Sequence, residues 1–273
     1  MIIDGKALAR EISAKVTQVV SELTFTPHLT VFTCAPNFET KKFLALKQKQ
    51  AVLCGMTLVV HEFEANVTLA HIKTTLEAVT SATDAIVIQF PFPPHLETAD
   101  LVALIPKSHD VDAFSYAGEQ TEVLPPVVGA IAVMGRTYGV NWEGSVVVVV
   151  GTGRLVGAPA ALFARSQGSQ VVVVDKDTPQ QEELISQADI LILGAGVPGL
   201  VTASMVKDGV VVFDAGTSEA GGVLVGDASV DVVTKAALLT PVPGGIGPVT
   251  IAMLLKNVLY LAQANRNQAS NMV

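Results

Sequence analysis

The chain has 273 residues, enough for one large domain or two modest ones, and half of them are apolar while only 15% are charged. That balance excludes a disordered chain, and a net charge of −8 argues against nucleic acid or an anionic membrane as partner. Mean hydropathy is +0.50, yet no apolar run approaches the ~18 residues of a spanning helix; strands buried on both faces account for the value.

Met1-Ile-Ile-Asp-Gly-Lys6 carries no signal peptide, so a cytoplasmic protein is expected. Lys6 to Leu23 has helical periodicity, with Leu8, Ile12, Val16 and Val20 on one face. His28 to Cys34 reads as a strand, and Thr40 to Leu53 as a helix with Gly55 past its end. Thr57 to His61 is a second strand, Thr68 to Ser81 a helix, and Ala85 to Gln89 a third strand. Phe90-Pro-Phe-Pro-Pro94 continues neither element and forms a rigid loop, followed by a short helix, Ala99 to Ile105. Val123 to Gly129 is a junction before a helix over Ala130 to Tyr138.

The apolar strand Ser145 to Val150 ends in Gly151-Thr-Gly153-Arg-Leu-Val-Gly157, and a helix (Ala158 to Gln167) follows. The next strand, Val171 to Val174, ends in Asp175. This is the layout of a dinucleotide-binding βαβ unit: glycines admit a pyrophosphate at a helix N-terminus, and the acidic residue accepts hydrogen bonds from a ribose. The spacing G-x-G-x-x-x-G is looser than G-x-G-x-x-G, so a tight turn without ligand is the competing reading. A helix (Gln180 to Gln187) and strands Ile190 to Leu193 and Val210 to Asp214 follow. Gly194-Ala-Gly196 could wall the same site. Ala215 to Asp227 is loop-rich, Thr240 to Pro248 is a loop, Thr250 to Gln263 is an apolar helix, and the tail from Ala264 is polar and frayed.

Strands alternate with helices throughout, which indicates an α/β class with mostly parallel sheets. Ligands in such folds bind beyond the C-terminal strand ends. Phe43 and Lys47 share a helix face. Lys47 is either an acid–base group in a pocket or one solvated lysine among Lys41, Lys42 and Lys49. Gln89 either orients a ligand or caps free backbone. Asp110 and Asp112 either hold a polar ring or a metal, or bond their own turn. Cys34 and Cys54 are too few for a disulfide framework and show no metal-type spacing with histidine; buried thiols are expected.

Four motifs in order extend the reading. Asp4-Gly-Lys-Ala-Leu-Ala9 resembles D-G-K-x-x-A, and Gln89-Phe-Pro-Phe-Pro93 resembles Q-L-P-L-P. Residues 105–114, with Asp110-Val-Asp-Ala-Phe114, resemble P-x-K-D-V-D-G-F, and Thr240 to Thr250 resembles T-P-V-P-G-G-V-G-P-M-T. Phe43 and Lys47 fall on Y-x-x-x-K. Nearly the whole chain thus resembles the bifunctional methylenetetrahydrofolate dehydrogenase/cyclohydrolases. The resemblance implies two α/β domains around a cleft: a folate-binding catalytic domain (1–124 and 249–273) and a Rossmann-type dinucleotide domain (125–248), with the last helix returning to the first. It implies hydride transfer from methylenetetrahydrofolate to NAD(P)⁺, then hydrolysis of the methenyl product to formyltetrahydrofolate, in a homodimer. Lys47 would be the catalytic lysine, chiefly for the cyclohydrolase proton transfer. Gln89 would tune its charge, Asp112 would hold the pterin, and Phe43 would stack on the folate. Pro241, Pro243, Gly244, Gly245 and Pro248 would line the substrate and nicotinamide region.

Gly151, Thr152, Gly153, Arg154, Gly157, Asp175, Lys176, Gly194 and Gly196 would contact the cofactor. The family's G-R-S reads Gly151-Thr-Gly153 here, and its C-H-S reads Val174-Asp-Lys176. The arginine and serine that would grip a 2′-phosphate are replaced, and a carboxylate stands at the ribose end. NAD is therefore expected over NADP. Phenylalanine replaces tyrosine at Phe43, Ala113 replaces glycine, and Leu124-Pro-Pro-Val-Val128 stands in the region of P-C-T-P. A dehydrogenase without the hydrolase step, and a non-catalytic nucleotide-binding homologue, are the alternatives.

Overall fold

The computed structural model describes residues 1–220 and 223–270. It divides into two compact α/β units: residues 11–115 with those from 254 onward, and residues 1–10 with 116–253.

In the first unit, parallel strands stand in the order β2 (Thr57–Phe63), β1 (His28–Cys34), β3 (Ala85–Gln89). Phe32, Ile86 and Ile88 from the sheet pack with Ile72 and Leu76 of α3 (Leu69–Thr80) and Leu101 of α4 (Thr98–Ala103). The central β1 and the edge strand β3 are both buried along almost their whole length, as parallel strands covered on both faces are. α1 (Gly5–Ser21) precedes β1, and α2 (Phe38–Leu53) joins β1 to β2. Asn37 starts α2 two residues ahead of the expected Thr40, because its side chain accepts the Thr40 N–H (2.8 Å).

The second unit holds a five-stranded parallel sheet in the order β10 (Leu238–Leu239), β7 (Val211–Asp214), β6 (Ile190–Leu193), β4 (Val146–Val150), β5 (Gln170–Val174). Val148, Val150, Leu191, Leu193 and Val212 form one core layer with Ile185 of α7 (Gln181–Ser186). Trp142 stacks on Phe213 and meets Phe163 of α6 (Gly157–Ser166) edge-on. α5 (Pro126–Thr137) begins inside the expected Val123–Gly129 junction. Pro126 sits at its first position, where a missing N–H costs nothing. Part of the expected 215–227 loop is a hairpin, β8 (Ser218–Ala220) with β9 (Val223–Val225); residues 221–222 lie outside the described residues. The N-terminus extends the sheet: Ile3 N–H donates to Leu239 O (2.9 Å) and Leu239 N–H to Met1 O (2.9 Å).

The final helix departs most from expectation. α8 runs Ile246–Ser270, so it starts within the expected loop and absorbs residues 264–270 of the expected frayed tail; residues 271–273 lie outside the described residues. Pro248 falls in its first turn, where proline is tolerated. Asn265 Nδ2 donates to Asp84 O (3.3 Å) and Ser108 O (3.1 Å), and Arg266 pairs with Asp84 while lying 3.6 Å over the Phe25 ring. These contacts hold the polar end helical. Residues 246–267 also reach the length and apolarity of a spanning helix, contrary to the expectation that no segment did, because one lysine (Lys256) does not interrupt a helix. Two-thirds of that window is buried within the molecule, as in the core helix of a globular fold.

Candidate active site

Strand order changes direction between β1 and β3, since β2 lies on the far side of β1. Loops at the C-terminal ends of such neighbouring strands leave room for a ligand. Gln89 ends β3, in register with Thr33 of β1. Lys47, three turns into α2, reaches it: Nζ donates to Gln89 Oε1 at 2.6 Å. Gln89 is held in turn, its Nε2 donating to Phe90 O (3.1 Å). Asp112 completes the group electrostatically. Burial pushes the Asp112 carboxyl up to about 6, and the Lys47 charge opposes the rise. Burial also lowers the Lys47 pKa, and Asp112 opposes that. The three residues expected to act together are therefore brought together, and Lys47 is not a freely solvated lysine.

Asp110 is 8% exposed, and its Oδ2 accepts the Phe114 N–H at 2.7 Å. The two expected aspartate readings thus split: Asp110 builds the turn, and Asp112 is the one coupled to the lysine. Between them and Phe114, Ala113 adopts φ +51°, a left-handed conformation that suits glycine. Phe43 lies one helical turn before Lys47 and is 44% exposed.

In the second unit the strand order changes direction at β4, with β5 on one side and β6 on the other. The glycine turn follows β4 and Gly194–Gly196 follows β6, so both expected cofactor segments sit at one switch point. Gly151, Gly157 and Gly194 are required by contact. A Cβ on Gly151 (φ +104°) would lie 2.6 Å from Gly194 O, and one on Gly157 would collide with Gly151 O. Gly153 is different: a Cβ there meets nothing within 4 Å. Thr152, Gly153 and Arg154 are exposed, and their N–H groups have no partner among the described residues. A pyrophosphate at the start of α6 fits such open donors. Asp175 lies beyond β5 as expected. Its Oδ1 accepts from Thr178 Oγ1 (2.8 Å) and Asp177 N–H (3.1 Å), which keeps its pKa low, the Thr178 bond being the main cause. Its Oδ2 accepts no hydrogen bond among the described residues. Lys176 is exposed beside it.

Thr240 to Gly245 forms a tight turn into α8, with Gly245 N–H donating to Pro241 O (2.7 Å). Gly244 has φ +105°, and a Cβ on Gly245 would lie 2.8 Å from Thr240 Cβ. Pro243 is exposed, and Pro241 and Pro248 are half-buried.

Residues 3–112 match the catalytic domain of the tetrahydrofolate dehydrogenase/cyclohydrolase family, and residues 125–266 match its NAD(P)-binding domain. The chain belongs to that family. The bifunctional protein FolD of Nautilia profundicola is 34% identical over 276 residues, 96% of this chain and 97% of that protein. The crystal structure of the bifunctional FolD methylenetetrahydrofolate dehydrogenase/cyclohydrolase of Campylobacter jejuni superposes with a TM-score of 0.93 at 29% identity, covering 97% of this chain and 99% of that one. The Trypanosoma brucei FolD, solved with NADP and an inhibitor, gives 0.91 at 32% identity, covering 97% and 98%. Within this dehydrogenase/cyclohydrolase frame, two buried carboxylates, Asp214 and Asp227, stand out that sequence reasoning passed over. Asp214 was visible only as the polar end of a strand, and Asp227 lay in an irregular loop with no periodic signal.

Proposed function

We propose that this protein oxidises methylenetetrahydrofolate to the methenyl form with NAD(P)⁺ and hydrolyses that product to formyltetrahydrofolate. The observation that carries the reading is the Lys47–Gln89 hydrogen bond beside Asp112. Burial lowers the Lys47 pKa, so this lysine gives up its proton more readily than a solvated one, as acid–base catalysis needs. Gln89 Oε1 accepts a hydrogen bond from one Lys47 Nζ–H and so aims the others. Lys47 moves the proton of the attacking water during hydrolysis. Asp112, carried on a turn fixed by Asp110, binds the pterin through its carboxylate. Phe43 supplies an aromatic face for the folate. Residues 1–124 and 249–273 serve the folate chemistry, and residues 125–248 the dinucleotide, which supplies the hydride acceptor when bound.

The cofactor is NAD in preference to NADP. Thr152 and Gly153 replace the arginine and serine that would grip a 2′-phosphate, and the Asp175 carboxyl, held low by Thr178, would repel one at the ribose end. We assign Pro241, Pro243, Gly244, Gly245 and Pro248 to the lining of the nicotinamide and substrate region, as the family motif implies. We place the protein in the cytoplasm as a homodimer; its two cysteines are free and buried, as a reducing compartment favours.

Purified protein supplied with methylenetetrahydrofolate and either NAD⁺ or NADP⁺ tests this, with reduced cofactor and methenyl species followed together. Turnover with NAD⁺ and no methenyl accumulation is the expected result. Accumulating methenyl product would select a dehydrogenase that lacks the hydrolase step, and no turnover with either cofactor would remove both enzymatic readings.

A further inference from the structure

The loop after β6 is exposed over residues 195–199, yet its backbone is tied down from below. Asp227 is fully buried, and its carboxylate accepts three consecutive N–H groups: Ala195 (2.7 Å) and Gly196 (3.0 Å) on Oδ2, and Val197 (2.8 Å) on Oδ1. Asp227 is itself fixed by Asp214, which is 2% exposed. Asp214 Oδ1 accepts from Asp227 N–H (3.1 Å) and Gly216 N–H (2.9 Å), and its Oδ2 from Ala228 N–H (2.9 Å). Glycines make room for both carboxylates, because a Cβ on Gly216 would collide with Asp227 Oδ1 and one on Gly226 with Asp214 Oδ2. The network reaches two other loops. Gly194 presses on Gly151 of the glycine turn. Asp214 N–H donates to the buried Thr240 Oγ1 (2.7 Å) at the root of the Pro241–Gly245 turn.

Two adjacent buried carboxylates are costly to keep. Six backbone N–H groups, three on each carboxylate, offset that cost, and three of them belong to the exposed loop after β6. We propose that Asp227, backed by Asp214, is a positioning residue for the dinucleotide: its three hydrogen bonds set the Gly194–Val197 backbone so that this loop and the Gly151 turn together accept the cofactor. This rests on the dinucleotide part of the function proposed above. Neither carboxylate touches the cofactor. The pair acts by fixing main chain that does.

The test separates positioning from general support of the fold. Asp227→Asn keeps the shape but replaces one acceptor oxygen by an NH₂ group. Gly216→Ala crowds the same carboxylate from a neighbouring buried backbone position and removes no polar group. NAD⁺ affinity is measured by calorimetry on the wild type and both variants, and amide exchange is followed over residues 194–199. Hydrolysis of added methenyltetrahydrofolate is measured without any dinucleotide. A Kd for NAD⁺ raised tenfold or more, faster exchange in 194–199 and hydrolysis within twofold of wild type are expected for both variants. An NAD⁺ Kd within twofold of wild type overturns the proposal, as does hydrolysis that falls in proportion to NAD⁺ affinity. If Asp227→Asn does not fold, Gly216→Ala decides by the same criteria. Wild-type protein that binds NAD⁺ but turns over neither folate would instead refute the proposed reaction and leave the positioning role standing.

Discussion

Replacing Asp112 by asparagine should stabilise the protein while abolishing folate turnover, and the stabilisation should depend on pH. Burial raises the Asp112 carboxyl from 3.8 to about 6. A raised folded-state pKa means that the native state binds the proton more tightly than the unfolded state. Below pH 3.8 both states are protonated and the carboxyl costs nothing. Stability then falls as pH rises through the window between 3.8 and about 6, and the full cost stands above it. At 1.36 kcal/mol per unit, the cost is about 1 kcal/mol at pH 4.5 and about 3 kcal/mol at pH 8. Asparagine removes it. Part of the gain is returned because Lys47 loses the charge that supports its ammonium, so about 1–3 kcal/mol at pH 8 is the expected net. Urea unfolding read by amide exchange in peptides of β1 and β3 reports on this unit alone. Equal stabilisation at pH 4.5 and pH 8, or a loss at pH 8, would refute the reasoning, since either result means that the carboxylate is not paying a desolvation cost.

Ala113→Gly should stabilise the same unit by about 1 kcal/mol, because an alanine at φ +51° carries left-handed strain that glycine lacks; denaturant midpoints check it. Asp84→Ala should cost about 2–3 kcal/mol, since it removes the buried carboxylate that pairs with Arg266 and accepts the His28 N–H at 2.8 Å, and amide exchange at the end of α8 should rise with it. Lys47→Met should lower the cyclohydrolase rate at least a hundredfold, measured on added methenyltetrahydrofolate; a full rate would remove the assigned role. Gly153→Ser combined with Asp175→Ser should shift kcat/KM toward NADP⁺ by tenfold or more, because the serine at 153 enters open space and the repelling carboxylate is gone.

Fold class was legible because parallel strands buried on both faces leave continuous apolar runs. Ala85–Gln89 and Ile190–Leu193 read off the chain with the ends that the structure gives them. Boundaries failed where tertiary contacts override composition. The end of α8 reads as a polar tail, and it becomes helix because Asn265 and Arg266 find Asp84 and Ser108 more than 150 positions away. The two-residue β10 has no sequence signal of its own. It exists because β7 and the N-terminal segment offer it partners on both sides.

The candidate site divides along the same line. A lysine on a helix with three other lysines nearby is ambiguous by spacing, since helical periodicity says which residues share a face and not what that face meets. What removes the ambiguity is a sheet register that puts the end of β3 beside β1, under the helix that β1 leads into. The resemblance to family motifs grouped Lys47, Gln89 and Asp112, which spacing could not. It gave no help with Asp214 and Asp227, because their role depends on which N–H groups a folded loop leaves unpaired. A residue that touches ligand leaves a mark in a local motif. A residue that holds the backbone touching the ligand leaves its mark only in the hydrogen bonds of the finished fold.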